Sequence, residues 1–100
     1  MKQKLKPIHP GSILKEDFLD PLRISQNQLS IAIGVDTRRI NAIVLGKRNI
    51  TPDTALRLGA YFRNGAKVWL NLQQEYDLRV AEKELGPLLK KLGLNSARAV

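Results

Sequence analysis

Residues 25–46, SQNQLSIAIGVDTRRINAIVLG, carry the reading that decides the fold. Ser25 is a strong N-cap, Gln28 stands three residues on as its capping-box partner, and Ile24 and Leu29 take the two hydrophobic-staple positions around them. This grammar predicts a helix from Gln26. It stops at Ile33, because Gly34 can adopt the left-handed conformation that closes a helix. Asp36 then caps a second helix, stapled by Val35 and Ile40 and ending at Gly46. Ile40, Ile43 and Val44 share one face of that helix. Thr37, Arg38, Asn41 and Ala42 share the other, with Arg39 at the edge.

Two helices this short cannot bury their apolar sides alone, so neighbouring helices must cover them. The face left over is compact, nearly free of acid and rich in groups that match base edges. Arginine pairs with guanine, asparagine with adenine, and small apolar groups fit beside a thymine methyl. Two short helices, a glycine elbow and such a face are the chemistry of a helix-turn-helix reading double-stranded DNA.

Working outward, Lys47, Arg48 and Asn49 form a short basic loop past the second helix, placed to meet phosphate oxygens. Ile50, Thr51 and Pro52 restate the start signal: staple residue, N-cap, and proline in the first helical position. Ala55, Leu58, Gly59 and Phe62 form the inward stripe of the helix that follows, and Arg63-Asn64-Gly65 breaks it. Ala66 to Leu85 then reads as the longest helix, with Trp69, Leu72, Tyr76 and Val80 at helical spacing, and Gly86-Pro87 is expected to end it. On the N-terminal side, PIHPGSILKEDFL reads as a helix with Pro10 or Gly11 in its first turn and Ile13, Leu14 and Phe18 inward. It should end at Asp20, since Pro21 disfavours helix in the residue before it. The expected organisation is a basic leader at 1–9, one domain at 10–85 and a flexible tail at 86–100. The fold class is all-α with five helices.

Composition narrows the function. One hundred residues make one domain, and 43% apolar content supports a single small core. The chain has no cysteine, which excludes disulfides and thiolate metal sites and fits a reducing cytoplasm. Its longest apolar runs are a few residues, far short of a membrane span. The net charge is +8, and residues 21–74 hold eight basic side chains against only Asp36 and Asp53. Residues 75–84 reverse the sign through Glu75, Asp77, Glu82 and Glu84. Basic charge focused on the helix pair is the footprint of a polyanionic partner. His9 is the lone histidine and reads as a helix-start residue rather than a metal ligand or base. No nucleophile–base pair, paired carboxylates, phosphate-cradling glycine loop or metal constellation is present, so neither an enzyme nor a cofactor is expected.

From residue 7 to about 84 the chain resembles the HigA (VapI) antitoxins, a branch of the Xre and lambda-repressor-like helix-turn-helix proteins. The specific parts are the HPG-x-IL-x-E-x-FL start, at residues 9–19, and the segment WLNLQ-x-x-YDL, at residues 69–78. The resemblance implies a five-helix homodimer that neutralises a RelE/HigB-like messenger-RNA nuclease toxin and represses its own operon. It places DNA base reading on Thr37, Arg38 and Asn41, with Arg39 beside them, and phosphate binding on Gln26, Lys47 and Arg48. Two positions depart from the family pattern. Ser12 stands where a glutamate is usual, and Arg63-Asn64-Gly65-Ala66 replaces a Gly-Thr-Ser-Pro-like linker, which removes the capping serine of the last helix.

By the symmetry of such proteins, a dimer would set two recognition helices about 34 Å apart on an inverted-repeat operator. A stand-alone Xre-type repressor without a toxin shares the DNA-binding half and is the alternative. A protein coating single-stranded nucleic acid is disfavoured, because Phe18, Phe62, Trp69 and Tyr76 fall on apolar helical stripes rather than on a stacking platform.

Overall fold

The computed structural model describes residues 6–94, so the first five residues of the leader and the last six of the tail lie outside the described residues. The described chain forms five helices. The first, α1, is a composite of an α turn at Pro10–Ile13, a π segment at Leu14–Leu19 and a closing turn at Asp20–Leu22. It is followed by α2 (Gln26–Ile33), α3 (Thr37–Val44), α4 (Pro52–Phe62) and α5 (Ala66–Lys91). No strand occurs among the described residues, and the all-α, five-helix architecture stands as the sequence predicts.

The local signals work as read. Ser25 Oγ accepts from Gln28 N at 3.0 Å while Gln28 Oε1 accepts from Ser25 N at 2.8 Å, closing the capping box of α2. Gly34 ends α2 with φ 74°, Asp36 Oδ1 accepts from Arg38 N at 2.8 Å, and Thr51 caps α4 ahead of Pro52. At α5 the cap position is Gly65, with no side-chain hydrogen bond, as the missing serine implies.

Two helix ends differ from expectation. α1 continues through Pro21 to Leu22 and is closed by Arg23 in the left-handed conformation. Asp20 N–H bonds to the carbonyl of Lys15, five residues back instead of four. This widened turn relieves the clash that a proline ring makes with the carbonyl four residues before it. α5 likewise passes Gly86 and Pro87 and runs on to Lys91, so the expected end at Gly86-Pro87 is wrong. The steric conflict that bars helix before a proline involves the preceding side chain, and Gly86 has none. Residues 83 and 87 are both exposed, so a carbonyl that Pro87 leaves without an amide donor is not sealed from solvent and costs little.

The core draws on every helix: Leu14 and Leu19, Leu29 and Ile33, Ile40 and Ile43, Ala55 and Leu58, and Trp69, with Ile50 from the loop after α3. Trp69 is the largest fully buried side chain. Its ring lies 5.0 Å from Phe18 and 6.0 Å from Phe62 by centroids, and its Nε1 donates to Asn64 Oδ1 at 3.1 Å. Only the first turns of α5 join this core. Beyond Val80 the helix projects with Leu85 and Leu88 roughly half exposed, which draws the molecule out to 50 × 23 × 23 Å. No helix of the described residues is long and apolar enough to cross a membrane.

His9-Pro10-Gly11 joins α1 to α3. His9 Nδ1 accepts from Gly11 N at 2.9 Å and so caps α1, in keeping with the helix-start reading. Gly11 packs so closely on α3 that a Cβ there would sit 1.8 Å from the carbonyl oxygen of Ile43. The His9 ring is buried edge-on to Tyr76 at 4.9 Å. Since Nδ1 accepts, Nε2 carries the proton, and it is buried without a hydrogen-bond partner. Burial pushes the pKa of His9 down, against Asp77 and the Arg48 backbone, which is near enough to favour the charged ring but outside hydrogen-bonding geometry.

Two outcomes follow. Gly11→Ala should lose more than about 2 kcal/mol in urea denaturation, because backbone rather than a flexible side chain must give way. With its folded pKa below the ordinary 6.5, His9 contributes stability that is present above that value and lost as pH falls below it, where the unfolded chain takes up the proton first. His9→Asn retains a capping side chain and should abolish that part of the pH dependence, as read by the denaturation midpoint between pH 7.5 and about 5.

Candidate nucleic-acid interface

The geometry of the helix pair follows from what its residues must satisfy. α3 buries Ile40 and Ile43 completely, which turns its opposite side outward, toward solvent and the edge of α2. Two polar joints lock α2 to α3 along that side. In one, Asn41 Nδ2 donates to Gln26 Oε1 at 3.2 Å. In the other, Thr37 Oγ1 donates to Asn27 Oδ1 at 3.0 Å and lies 2.8 Å from Ser30 Oγ, which itself donates to the Asn27 carbonyl.

The structure therefore brings Gln26 and Asn41 into contact and sets Thr37 beside them with its hydroxyl engaged in the joint. Asn41 keeps its carbonyl oxygen and one amide N–H, the pair that adenine N6 and N7 require. Arg38 extends into solvent with its side chain 92% exposed and forks onto Asp36, Nε to Oδ1 at 3.1 Å and Nη2 to Oδ2 at 2.9 Å. Arg39 goes elsewhere. Its Nη1 bonds Asp53 Oδ1 at 3.1 Å and reaches Thr54 Oγ1 at 3.4 Å, leaving the side chain 27% exposed and turned onto α4. Lys47 and Arg48 stand exposed in the loop past α3, with no ion pair among the described residues.

The two acids of this region hold arginines. The side-chain bond from Arg38 keeps the Asp36 carboxyl at a pKa of about 2, and Arg57, then Arg39, lower that of Asp53. Arg57 does more than pair: Nη1 donates to the carbonyls of Ile33 at 2.6 Å and Gly34 at 3.3 Å, closing the C-terminal end of α2 from α4. This fixes the elbow angle between α2 and α3. Three contributors escape the sequence reading. Asn27 follows Gln26 in an ordinary polar run. Arg57 reads as one more basic residue. Gln73 sits in the recognisable WLNLQ-x-x-YDL segment, yet nothing local says that it is buried. Its Oε1 accepts from Ile50 N at 2.7 Å and its Nε2 donates to Asp77 at 2.9 Å, so α5 anchors the loop that carries Lys47 and Arg48. Among the described residues no three histidine, cysteine, aspartate or glutamate side chains gather as a metal site.

A capped helix, a glycine elbow and a second helix with a polar outer face, braced by three further helices, define a helix-turn-helix domain of the DNA-binding class. The relatives make the assignment narrower. No protein-family model matches the chain. Virulence-associated protein I of Dichelobacter nodosus is 48% identical over 83 residues, 83% of this chain and 77% of that protein. Among solved structures, a HigA-family addiction module antidote protein from Coxiella burnetii superposes with a TM-score of 0.82 at 40% identity, covering 96% of this chain and all of the other. Antitoxin HigA of Pseudomonas aeruginosa, solved with the higBA promoter, gives 0.83 at 39% identity, covering 93% of this chain and all of the other. The chain belongs to the HigA (VapI) family of helix-turn-helix antitoxins.

Replacing Arg57 separates bracing from charge. Arg57→Met retains the buried stem but removes the bonds that close α2, and should lower stability by about 1–2 kcal/mol. Amide exchange should quicken first at residues 33–36, a pattern that loss of a mere surface charge would not give.

Proposed function

We propose that this chain is the antitoxin of a type II toxin–antitoxin module. In this reading it binds an inverted-repeat operator in double-stranded DNA as a homodimer, represses its own operon, and neutralises a RelE/HigB-like messenger-RNA nuclease toxin. The observation that carries the DNA-binding part is the outward face of α3. Asn41, held by Gln26, and Arg38, extended into solvent, present amide and guanidinium groups at the spacing of one helical turn. Thr37 completes the base-facing set. Lys47 and Arg48 bind phosphate from the loop, Gln26 does so from the start of α2, and Arg39 braces the helix against Asp53. That the related Pseudomonas protein was solved with a promoter supports DNA binding by this fold.

The exposed side of α5 supports the dimer, since Leu78, and Leu85 and Leu88 in the projecting part, remain exposed along a helix longer than its own domain can cover. The toxin is supported by kinship with proteins named as antitoxins and antidotes. The acid-enriched stretch from Glu75 to Glu84 would attract a basic partner. Sedimentation should give a mass of twice 11.2 kDa, and co-expression with the small protein of the neighbouring reading frame should yield a complex that relieves growth arrest.

Titration on a duplex from the chain's own promoter, and on the same bases in scrambled order, tests the roles of the side chains. Arg38→Ala should weaken promoter binding about ten- to a hundredfold and scrambled binding little. Lys47→Ala should weaken both alike and lower the salt slope by about one unit. Equal losses on both duplexes for Arg38→Ala would remove it from the base-reading set.

A further inference from the structure

We propose that Asp36 is a positioning residue for base reading: it clamps Arg38 so that the guanidinium presents one fixed pair of donors outward and is withheld from phosphate. This rests on the DNA-reading function proposed above. The clamp is built from one carboxylate and one residue. Asp36 Oδ1 accepts from both the backbone N of Arg38, at 2.8 Å, and its Nε, at 3.1 Å, and Oδ2 accepts from Nη2 at 2.9 Å. Because the same oxygen caps α3, the carboxylate is fixed to the helix backbone, and the guanidinium is fixed to the carboxylate.

The fork uses the Nε–Nη2 side of the guanidinium. What remains is the outer edge, where Nη1 and the second N–H of Nη2 give two parallel donors, the match for O6 and N7 of guanine. At 92% exposure no protein group competes for that edge. A free arginine on a surface samples many rotamers, and ordering it on DNA subtracts from affinity. Here the ordering is completed when the helix forms. Any swing toward a phosphate must break the fork, and the carboxylate left behind repels the strand. The clamp therefore favours duplexes that offer guanine at this position over those that offer only backbone. With its carboxyl at a pKa of about 2, Asp36 is ionised at any pH where DNA binding is measured.

Asp36→Asn and Asp36→Ser both retain a capping oxygen and delete the charged fork. Each would be titrated on the promoter and scrambled duplexes alongside the wild type, Arg38→Ala, and the two double variants, with circular dichroism reporting helix content. The expected result is unchanged helix content, tighter binding to scrambled DNA, and a promoter-to-scrambled ratio about tenfold lower than wild type. In the Arg38→Ala background the same replacements should leave the ratio where Arg38→Ala alone sets it. If the wild type discriminates and the ratio is unmoved by both replacements, or falls as far without Arg38 as with it, the clamp is overturned while DNA reading stands. A wild type that binds both duplexes equally would overturn DNA reading, and the clamp with it.

Discussion

The contact of Gly11 with the carbonyl of Ile43 is the point on which the rest of the structure turns. Helices of eight residues such as α2 and α3 do not persist alone, so the reading helix has a defined direction only because other parts of the chain seize both its ends. α1 presses backbone to backbone on its C-terminal half, and His9 fixes the angle at which α1 arrives by capping that helix. From the other side, Arg57 of α4 holds the elbow, and Gln73 of α5 holds the loop that follows. Each grip is a hydrogen bond or a close approach with one geometry, in contrast to the aliphatic contacts beneath, which would tolerate sliding.

Much of this was legible because helix starts are local. Ser25 with Gln28, Asp36, and Thr51 with Pro52 each announce a helix from within four residues, and the structure places all three starts accordingly. Helix ends at proline were misread because the rule concerns a regular helix. At Pro21 the helix widens, and before Pro87 the offending side chain is absent. Arg23 and Arg63 stop helices in a left-handed conformation that sequence reading reserves for glycine or asparagine.

The site was legible as a face but not as a set of partners. Arg38 and Arg39 are adjacent and identical in type, and local reasoning sets Arg38 on the outer face and Arg39 at its edge, both within reach of DNA. Their difference lies in Asp53, fourteen residues beyond Arg39, which only the folding of α4 brings near. Gln73 illustrates the same limit, since its acceptor role depends on an unpaired N–H at Ile50, 23 positions away. Local grammar fixes where a side chain starts, and tertiary contact decides whether its polar end is free or already engaged.

The two acids of the helix-turn-helix region have a consequence for how the surface responds to its surroundings. Asp36 is held ionised down to about pH 2, and Asp53 is shifted the same way. Neither acid therefore changes its charge near neutrality. The one histidine is buried behind this surface, against Tyr76 of α5 and Gly46 of the loop after α3. Acidification consequently has no charge to change on the face itself. Its route to DNA affinity runs through His9, whose protonation would loosen the scaffold beneath the loop that carries Lys47 and Arg48.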